Sequence, residues 1–317
     1  MSYKPGVVLV DANSLGYHHH NGAKLRAGGK ETQAIFGFMR SLSDYVNRYP
    51  RHMIIVLWDG HAQWRYDLLP ETADHCGYKG GRDDDPKQAA MRQAYREIRP
   101  EIQQACRLLG IRQISCPTAE ADDLGALLVR QAEEKGCRNV VITGDGDWYQ
   151  FVSDLTELYN IRTTDRVRMG NFKALTGYET PRAFVEGKCL MGDASDKVPG
   201  VGMIGEGRAA EILAEFGSIA NLIKRGRSED ISKWPKYLRD FVTDAKGGLS
   251  ALKRNLKLMD LSRTPRPDPN SIIVDHGTPD IDALRQFCEE RRFESFLLGF
   301  EQFVSSFPAY KHMGVPA

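Results

Sequence analysis

The chain has 317 residues, 41% of them hydrophobic and 27% charged, a balance that suits a globular protein with a sizeable core and room for about two domains. No apolar run reaches the roughly 18 to 20 residues that a membrane helix needs, and Met1–Pro5 shows no signal-peptide pattern, so a cytoplasmic protein with no membrane attachment is expected. Six cysteines, the nearest pair ten residues apart, leave no Cys-x-x-Cys zinc or redox motif and no disulfide framework, and are read as reduced thiols filling the core.

In chain order, the apolar run at 7–10 predicts a buried strand that ends at Asp11. Residues 31–49 follow as an amphipathic helix, with Ile35, Phe38, Leu42 and Val46 on one face, and 53–58 as a second strand running into Asp59. Residues 60–85 break the alternation. They interleave Trp64, Arg65, Tyr66, Tyr78, Lys79 and Arg82 before Asp83–Asp85, and a long irregular stretch inside a compact domain is usually functional. A long helix over 86–109, a weaker strand over 111–115, a helix over 121–135 and a strand over 140–142 complete the first half. This alternation predicts an α/β fold with a mostly parallel sheet flanked by helices. Beyond a soft boundary near 165, helical patterns at 181–191, 206–216, 218–224 and 249–259 dominate. A Pro-rich connector at 263–269 leads to a last helix over 280–298 that packs back on the body.

The chemistry lies in acids at turning points. Asp11, Asp59 and Asp145 each follow a strand, and parallel sheets bind ligands beyond the carboxyl ends of their strands. Glu120, Asp122 and Asp123 open a helix, Asp147 follows Asp145 across Gly146, and Asp193 and Asp196 form a further pair. Nine carboxylates cannot crowd together uncompensated, and no cation lies close in sequence to Asp11, Glu120, Asp122 or Asp145. Two divalent ions, Mg²⁺ or Mn²⁺, are the expected solution; without interspersed His or Cys, zinc is not. With those nine set aside, the remaining charges give ten more cations than anions, which predicts a basic surface around an acidic pocket.

The segment 198–209 is rich in glycine, with Gly200, Gly202, Gly205 and Gly207, and hands over to a helix. It lacks the preceding strand of a dinucleotide site and the Gly-Lys-Ser/Thr of a P-loop, and reads as a turn that grips a nucleic-acid backbone. His18–His20 are expected in a surface loop rather than in a metal site.

The ordered series Asp11-Ala12-Asn13-Ser14, the strand ending at Asp59, Tyr78-Lys79-Gly80-Gly81-Arg82, Glu120-Ala121-Asp122-Asp123, Thr143-Gly144-Asp145-Gly146-Asp147 and Gly192-Asp193-Ala194-Ser195-Asp196 resembles the 5′-nuclease superfamily, in particular the bacteriophage and bacterial flap endonuclease/5′–3′ exonuclease group. The resemblance covers about residues 7–223. It implies a PIN-like (Rossmann-like) nuclease domain over 1–165 with a helical arch over about 60–105. It also implies a DNA-binding region over 166–317 that holds a helix–three-turn–helix at about 184–217 and the C-terminal helices.

By the same resemblance, Asp11, Asp59, Glu120, Asp122 and Asp123 surround a first metal ion, and Asp145, Asp147, Asp193 and Asp196 a second. Lys79 and Arg82 belong to the arch and hold the scissile phosphate, Tyr78 and Trp64 are candidates to stack on bases, and Lys188 binds phosphate. Gly200, Gly202, Gly205 and Arg208 contact DNA, and the backbone at Val201 and Ile204 forms a K⁺ site. Met203, Gly207 and Lys197 depart from the family pattern (Gly, Lys and Asn there), which leaves Arg208 or Lys197 to supply the missing charge. The implied function is a Mg²⁺-dependent, structure-selective 5′ nuclease, monomeric and free-standing, acting on DNA flaps and 5′ ends in replication or repair, in a host cytoplasm if of phage origin. A PIN-type ribonuclease and a catalytically silent binder of branched DNA are the alternatives. No polymerase partner is readable.

Overall fold

Five of the strands in the computed structural model, which describes residues 4–311, run parallel. They are β1 (Lys4–Asp11), β2 (Met53–Trp58), β3 (Arg112–Ser115), β4 (Cys137–Thr143) and β5 (Thr156–Asn160), in spatial order β5-β4-β1-β2-β3. Short antiparallel strands close both edges, β6 (Arg166–Val167) beside β5 and β7 (Ile273–Asp275) beside β3. The chain steps outward from β1 to β3 and then returns to the other side of β1. The order therefore reverses between β1 and β4, where the carboxyl ends of the strands leave a crevice.

Burial on both faces explains why β1, β2 and β4 read as unbroken apolar runs, whereas β3 and β5, further out in the sheet, do not. Val8 and Val10 face a core built with α1 (Ala12–His20), α2 (Gln33–Arg48) and α3 (Pro86–Leu108). Leu9 points the other way, into a core shared with α4 (Ala121–Glu134) and the helical second half. That half contains α5 (Pro181–Met191), α6 (Glu206–Phe216), α7 (Ile219–Ser228) and α8 (Gly248–Met259). Pro181 sits at the start of α5, where a missing N–H costs nothing, and Thr180 caps it by accepting from Ala183 N. At its end Gly192 takes φ +80° and pairs with Pro199 in a two-residue ribbon. A Cβ at Gly200 would lie 2.3 Å from Met191 O, so glycine there permits this close return.

Three expectations need correction. The last helix is two, α9 (Ile281–Glu290) and α10 (Glu294–Leu298). Arg292 breaks it at φ +53°, which turns Phe293 inward onto Phe36 and Phe296. Residues 60–85 are not wholly irregular but contain a one-turn helix, Gln63–Leu68, and a ribbon pairing Glu71–Thr72 with His75–Cys76. His18–His20 are the last turn of α1, not a loop. His20 is buried, and His19 lies against Gly37 with its Nε2 2.9 Å from Ser41 Oγ, because α1 and α2 pack at close range. Four of the six free cysteines (106, 116, 189 and 288) are buried, as core filler should be.

Candidate active site

The strand ends deliver their acids to one rim. Asp11 terminates β1, caps α1 by accepting from Ser14 N at 3.0 Å, and accepts from Thr143 Oγ1 of β4 at 2.7 Å. Asp59, just past β2, accepts from Ala121 N at 2.7 Å and Asn13 Nδ2 at 2.5 Å, so it ties the start of α4 to the start of α1. Burial, and next the charge of Asp59, push the Asp11 carboxyl up to about 7. Beyond β4, Asp145 N donates to Thr143 Oγ1 at 3.0 Å, Asp145 Oδ1 accepts from Asp147 N at 2.9 Å, and Gly144 N donates to Ser14 Oγ at 2.7 Å. Burial, opposed by Lys188 and aided by Asp145, lifts Asp147 to about 6.

The acids at the start of α4 have partners that their sequence neighbourhood does not show. Arg65, 1% exposed, lies behind them. Its guanidinium donates to both oxygens of Asp123, at 2.7 and 2.8 Å, and stands 3.5 Å from both Asp122 and Glu120. Asp123 Oδ2 also accepts from Glu120 N at 3.0 Å. Lys79, at φ +54°, places its ammonium 2.6 Å from Glu120 Oε1. No cation is close to these carboxylates in sequence, but the segment between β2 and α3 brings two of them from 40 to 60 positions earlier. Asp123 sits deeper than its acidic neighbours. With both oxygens on Arg65 it is buried and does not line the cleft, unlike Asp122. Burial, against the pull of Arg65 and with the push of Asp123, holds the Asp122 carboxyl well above its usual range.

From the helical half, Asp193 Oδ1 accepts from Ser195 N at 2.7 Å, Ser195 Oγ at 2.6 Å and Asp196 N at 3.2 Å, a closed turn that presents Asp196. Burial raises the Asp193 carboxyl, but Lys188 and Ser195 outweigh it and hold it at about 2. Lys188 of α5 bridges Asp193, at 2.9 Å, and Asp147. Asp196 meets residues 78–82. Tyr78 Oη donates to it at 2.9 Å, Arg82 pairs with it, and Lys79 N donates to its carbonyl at 2.8 Å. Tyr78 is thus 5% exposed and held from below; Trp64 carries the Arg65 guanidinium 4.6 Å from its ring centre.

Eight of the nine sequence-selected carboxylates line one cleft of about 740 Å³ together with Lys79, Arg82, Arg92, Arg162 and Lys188. Among the described residues no three acids stand as a ready-made ligand cluster, and Lys79, Arg82 and Lys188 each pair with acids of the cleft. The donor set nevertheless fits hard divalent cations. It is all oxygen, with no His or Cys among the described residues that line the cleft. Burial, with the charge of neighbouring acids, also raises Asp11 and Asp147 toward neutrality, a penalty that a divalent ion would relieve.

The glycine-rich turn follows directly on the ribbon in which Val198 pairs with Asp193. Gly202 takes φ +56°, and neither it nor Gly205 has an atom within 4 Å of a virtual Cβ, so both are open to an approaching backbone. Val201 and Ile204 are buried, with Ile204 N donating to Val201 O at 3.2 Å. Arg208 curls back on the turn, donating to Met203 O at 2.6 Å and lying over the Tyr237 ring at 4.5 Å. Sequence reasoning missed Arg65, Thr143, Asn13 and Ser14 as parts of the site. Thr143 and Ser14 flank singled-out aspartates in the motifs, but Arg65 gave no signal beyond its place in an irregular stretch.

Comparison with known proteins matches two family models. Residues 6–177 match the 5′–3′ exonuclease N-terminal resolvase-like domain and residues 179–266 the 5′–3′ exonuclease C-terminal SAM fold. The chain is 30% identical over 301 residues to the thermostable DNA polymerase I of Thermus filiformis, covering 93% of this chain and 33% of that protein. It is 33% identical over 270 residues to DNA polymerase I of Mycobacterium bovis, covering 82% and 27%. The chain therefore spans about one third of the length of the curated relatives it matches. In fold it is similar to the T5 D15 flap endonuclease solved with DNA and metal ions (TM-score 0.68, 21% identity, 90% of this chain and 99% of that one). It is also similar to the catalytic core of Rad2 solved with a DNA substrate (TM-score 0.56, 18% identity, 93% of both chains).

Proposed function

Because the chain belongs to the 5′–3′ exonuclease family, whose two models together span residues 6–266 apart from position 178, we propose that it is a divalent-metal-dependent, structure-selective 5′ nuclease that hydrolyses DNA flaps and 5′ ends. The observation that carries this reading is the convergence of eight carboxylates, from three strand ends, one helix start and the turn after α5, on one cleft that also holds Lys79, Arg82 and Lys188. Asp11, Asp59, Glu120 and Asp122 would hold one ion and Asp145, Asp147, Asp193 and Asp196 a second, with Mg²⁺ or Mn²⁺ the natural choice for oxygen donors. Such ions supply Lewis acidity toward water and phosphate oxygens.

The protein's own part is positioning and charge. Lys79 and Arg82 would bind non-bridging oxygens of the scissile phosphate and stabilise the charge that develops there, while Lys188 takes a neighbouring oxygen. No side chain of the cleft is needed as a nucleophile. Asp123, tied to Arg65, would serve by fixing the start of α4. The open turn at Gly202 and Gly205, with Arg208 beside it, would grip the duplex backbone, with K⁺ held by the carbonyls around Val201 and Ile204.

The test is cleavage of a 5′-labelled DNA flap in Mg²⁺, with EDTA as control and an RNA flap in parallel. Short products near the junction, lost in EDTA, are expected. Asp145→Asn should abolish cleavage yet retain binding; undiminished cleavage by this variant would sink the metal assignment. Preference for the RNA flap would favour a ribonuclease, and tight binding without cleavage a silent binder.

A further inference from the structure

Four of the five cations that line the cleft are already engaged. Lys79 is paired with Glu120, Arg82 with Asp196, Lys188 with Asp147 and Asp193, and Arg92 with Asp83. Arg162 is the exception: among the described residues its guanidinium has no ion pair and no hydrogen bond, yet it lines the same cleft as the eight carboxylates. It follows β5, at the end of the rim away from the arch, which springs from β2.

Its placement is built, not incidental. The Arg162 stem lies across Gly144, where a virtual Cβ would come within 2.8 Å of its Cγ and 2.9 Å of its Nε. The turn that carries it is locked from below. The buried Asn160 accepts from Arg162 N at 2.9 Å and Thr163 N at 3.3 Å, and donates to Tyr149 Oη at 2.8 Å. Two residues on, Thr164 stands at φ +62°, a costly conformation for a β-branched residue. A strained turn with a buried anchor thus holds one exposed, uncommitted guanidinium over the residue that precedes Asp145.

A cleft with eight acids and five bases repels a polyanion. Three of the paired bases are committed to carboxylates that must be neutralised in some other way before they can turn to substrate. Arg162 needs no such release. From this geometry we propose that Arg162 is a substrate-positioning residue that binds a phosphate of the nucleic-acid strand entering the cleft, on the wall opposite the arch. A guanidinium fork suits phosphate oxygens in a way that an ammonium does not. The inference rests on the nuclease reading given above.

The experiment compares wild type, Arg162→Gln, Arg162→Lys and, as control, Arg285→Gln, whose arginine pairs with Glu301 outside the cleft. Flap binding is measured across a salt series with Ca²⁺ in place of Mg²⁺, and steady-state cleavage in Mg²⁺. Removal of one phosphate contact should weaken binding about tenfold and flatten the slope of log K against log salt by about 0.7 to 0.9. KM should rise by a larger factor than kcat falls. Arg162→Lys should restore the slope and only part of the affinity, and the control should leave the slope where it is. An unchanged salt slope and KM in Arg162→Gln, with wild type cleaving normally, would overturn the assignment. A wild type that binds the flap without cleaving it would refute the nuclease reading and leave the binding slopes to decide on Arg162. Absence of flap binding would overturn both.

Discussion

Replacing Arg65 with Ala should unfold the protein at markedly lower temperature, and the structure gives the size of the effect. The substitution strips both oxygens of Asp123, 2.7 and 2.8 Å from the guanidinium, of their cation while leaving the carboxylate buried. Breaking a buried pair from one side costs about 3 to 5 kcal/mol, mostly the penalty of an uncompensated charge. For a chain of this size that corresponds to a fall in Tm on the order of 10 °C. Glu120 and Asp122, each 3.5 Å from Arg65, add to the loss. Thermal unfolding followed by circular dichroism in EDTA reads the protein alone, without any gain from bound ions. The double variant Arg65→Met/Asp123→Leu removes both buried charges and should recover more than half of the loss, because an apolar pair needs no compensation. A single variant that melts within about 2 °C of wild type, or a double variant no better than the single, would refute the view of Arg65 as the counter-ion that makes this acidic corner foldable.

Three further outcomes are expected. In EDTA, Asp11→Asn should raise Tm at pH 8 but not at pH 4: a carboxyl raised from 3.8 to about 7 by folding contributes stability below pH 4 that is lost as pH rises through 7. A Tm difference independent of pH would contradict this. His19 behaves in the opposite sense. Burial, and then the neighbouring His18, lower its pKa to about 4, so its contribution is complete above pH 6.5 and disappears as pH falls through 4; His19→Asn should therefore flatten the decline of Tm over that window. Gly60→Ala places a Cβ 1.9 Å from Cys116 O and 2.9 Å from Ala119 O, so the loop after Asp59 must shift. A stability loss of about 1 to 3 kcal/mol is expected by urea denaturation, together with reduced flap cleavage, and unchanged values in both would count against the tight seating of Asp59.

Much of the frame was legible in the residues. Three buried parallel strands, β1, β2 and β4, announce themselves as short apolar runs, and an Asp at or just past the end of each points to the rim because strand direction is shared, whereas the polar sequence of β5 gave no such signal. Caps such as Thr180-Pro181 and Asp85-Pro86 mark helix starts directly. Contacts that close over long stretches of chain were not legible. The pairing of Arg65 with Asp123 and the docking of Tyr78 on Asp196 depend on how the arch root folds across the sheet, and no local spacing encodes that. The break at Arg292 was hidden for a similar reason. Helical periodicity continues through it, and the packing of Phe293 on Phe36 is a contact made far along the chain. The histidine run misled because its composition looks solvent-loving, whereas the packing of α1 on α2 decides its fate.

The knot of contacts at Asp196 has a consequence for how such proteins can be recombined. Tyr78, Lys79 and Arg82 belong to the part matched by the N-terminal model, and Asp193 to Asp196 to the part matched by the C-terminal one. The proposed active site is therefore a seam between the two matched parts rather than the property of either. A chimera joined at residue 178 would inherit both folds and still misplace its charges, unless the arch root and the turn after α5 came from the same parent.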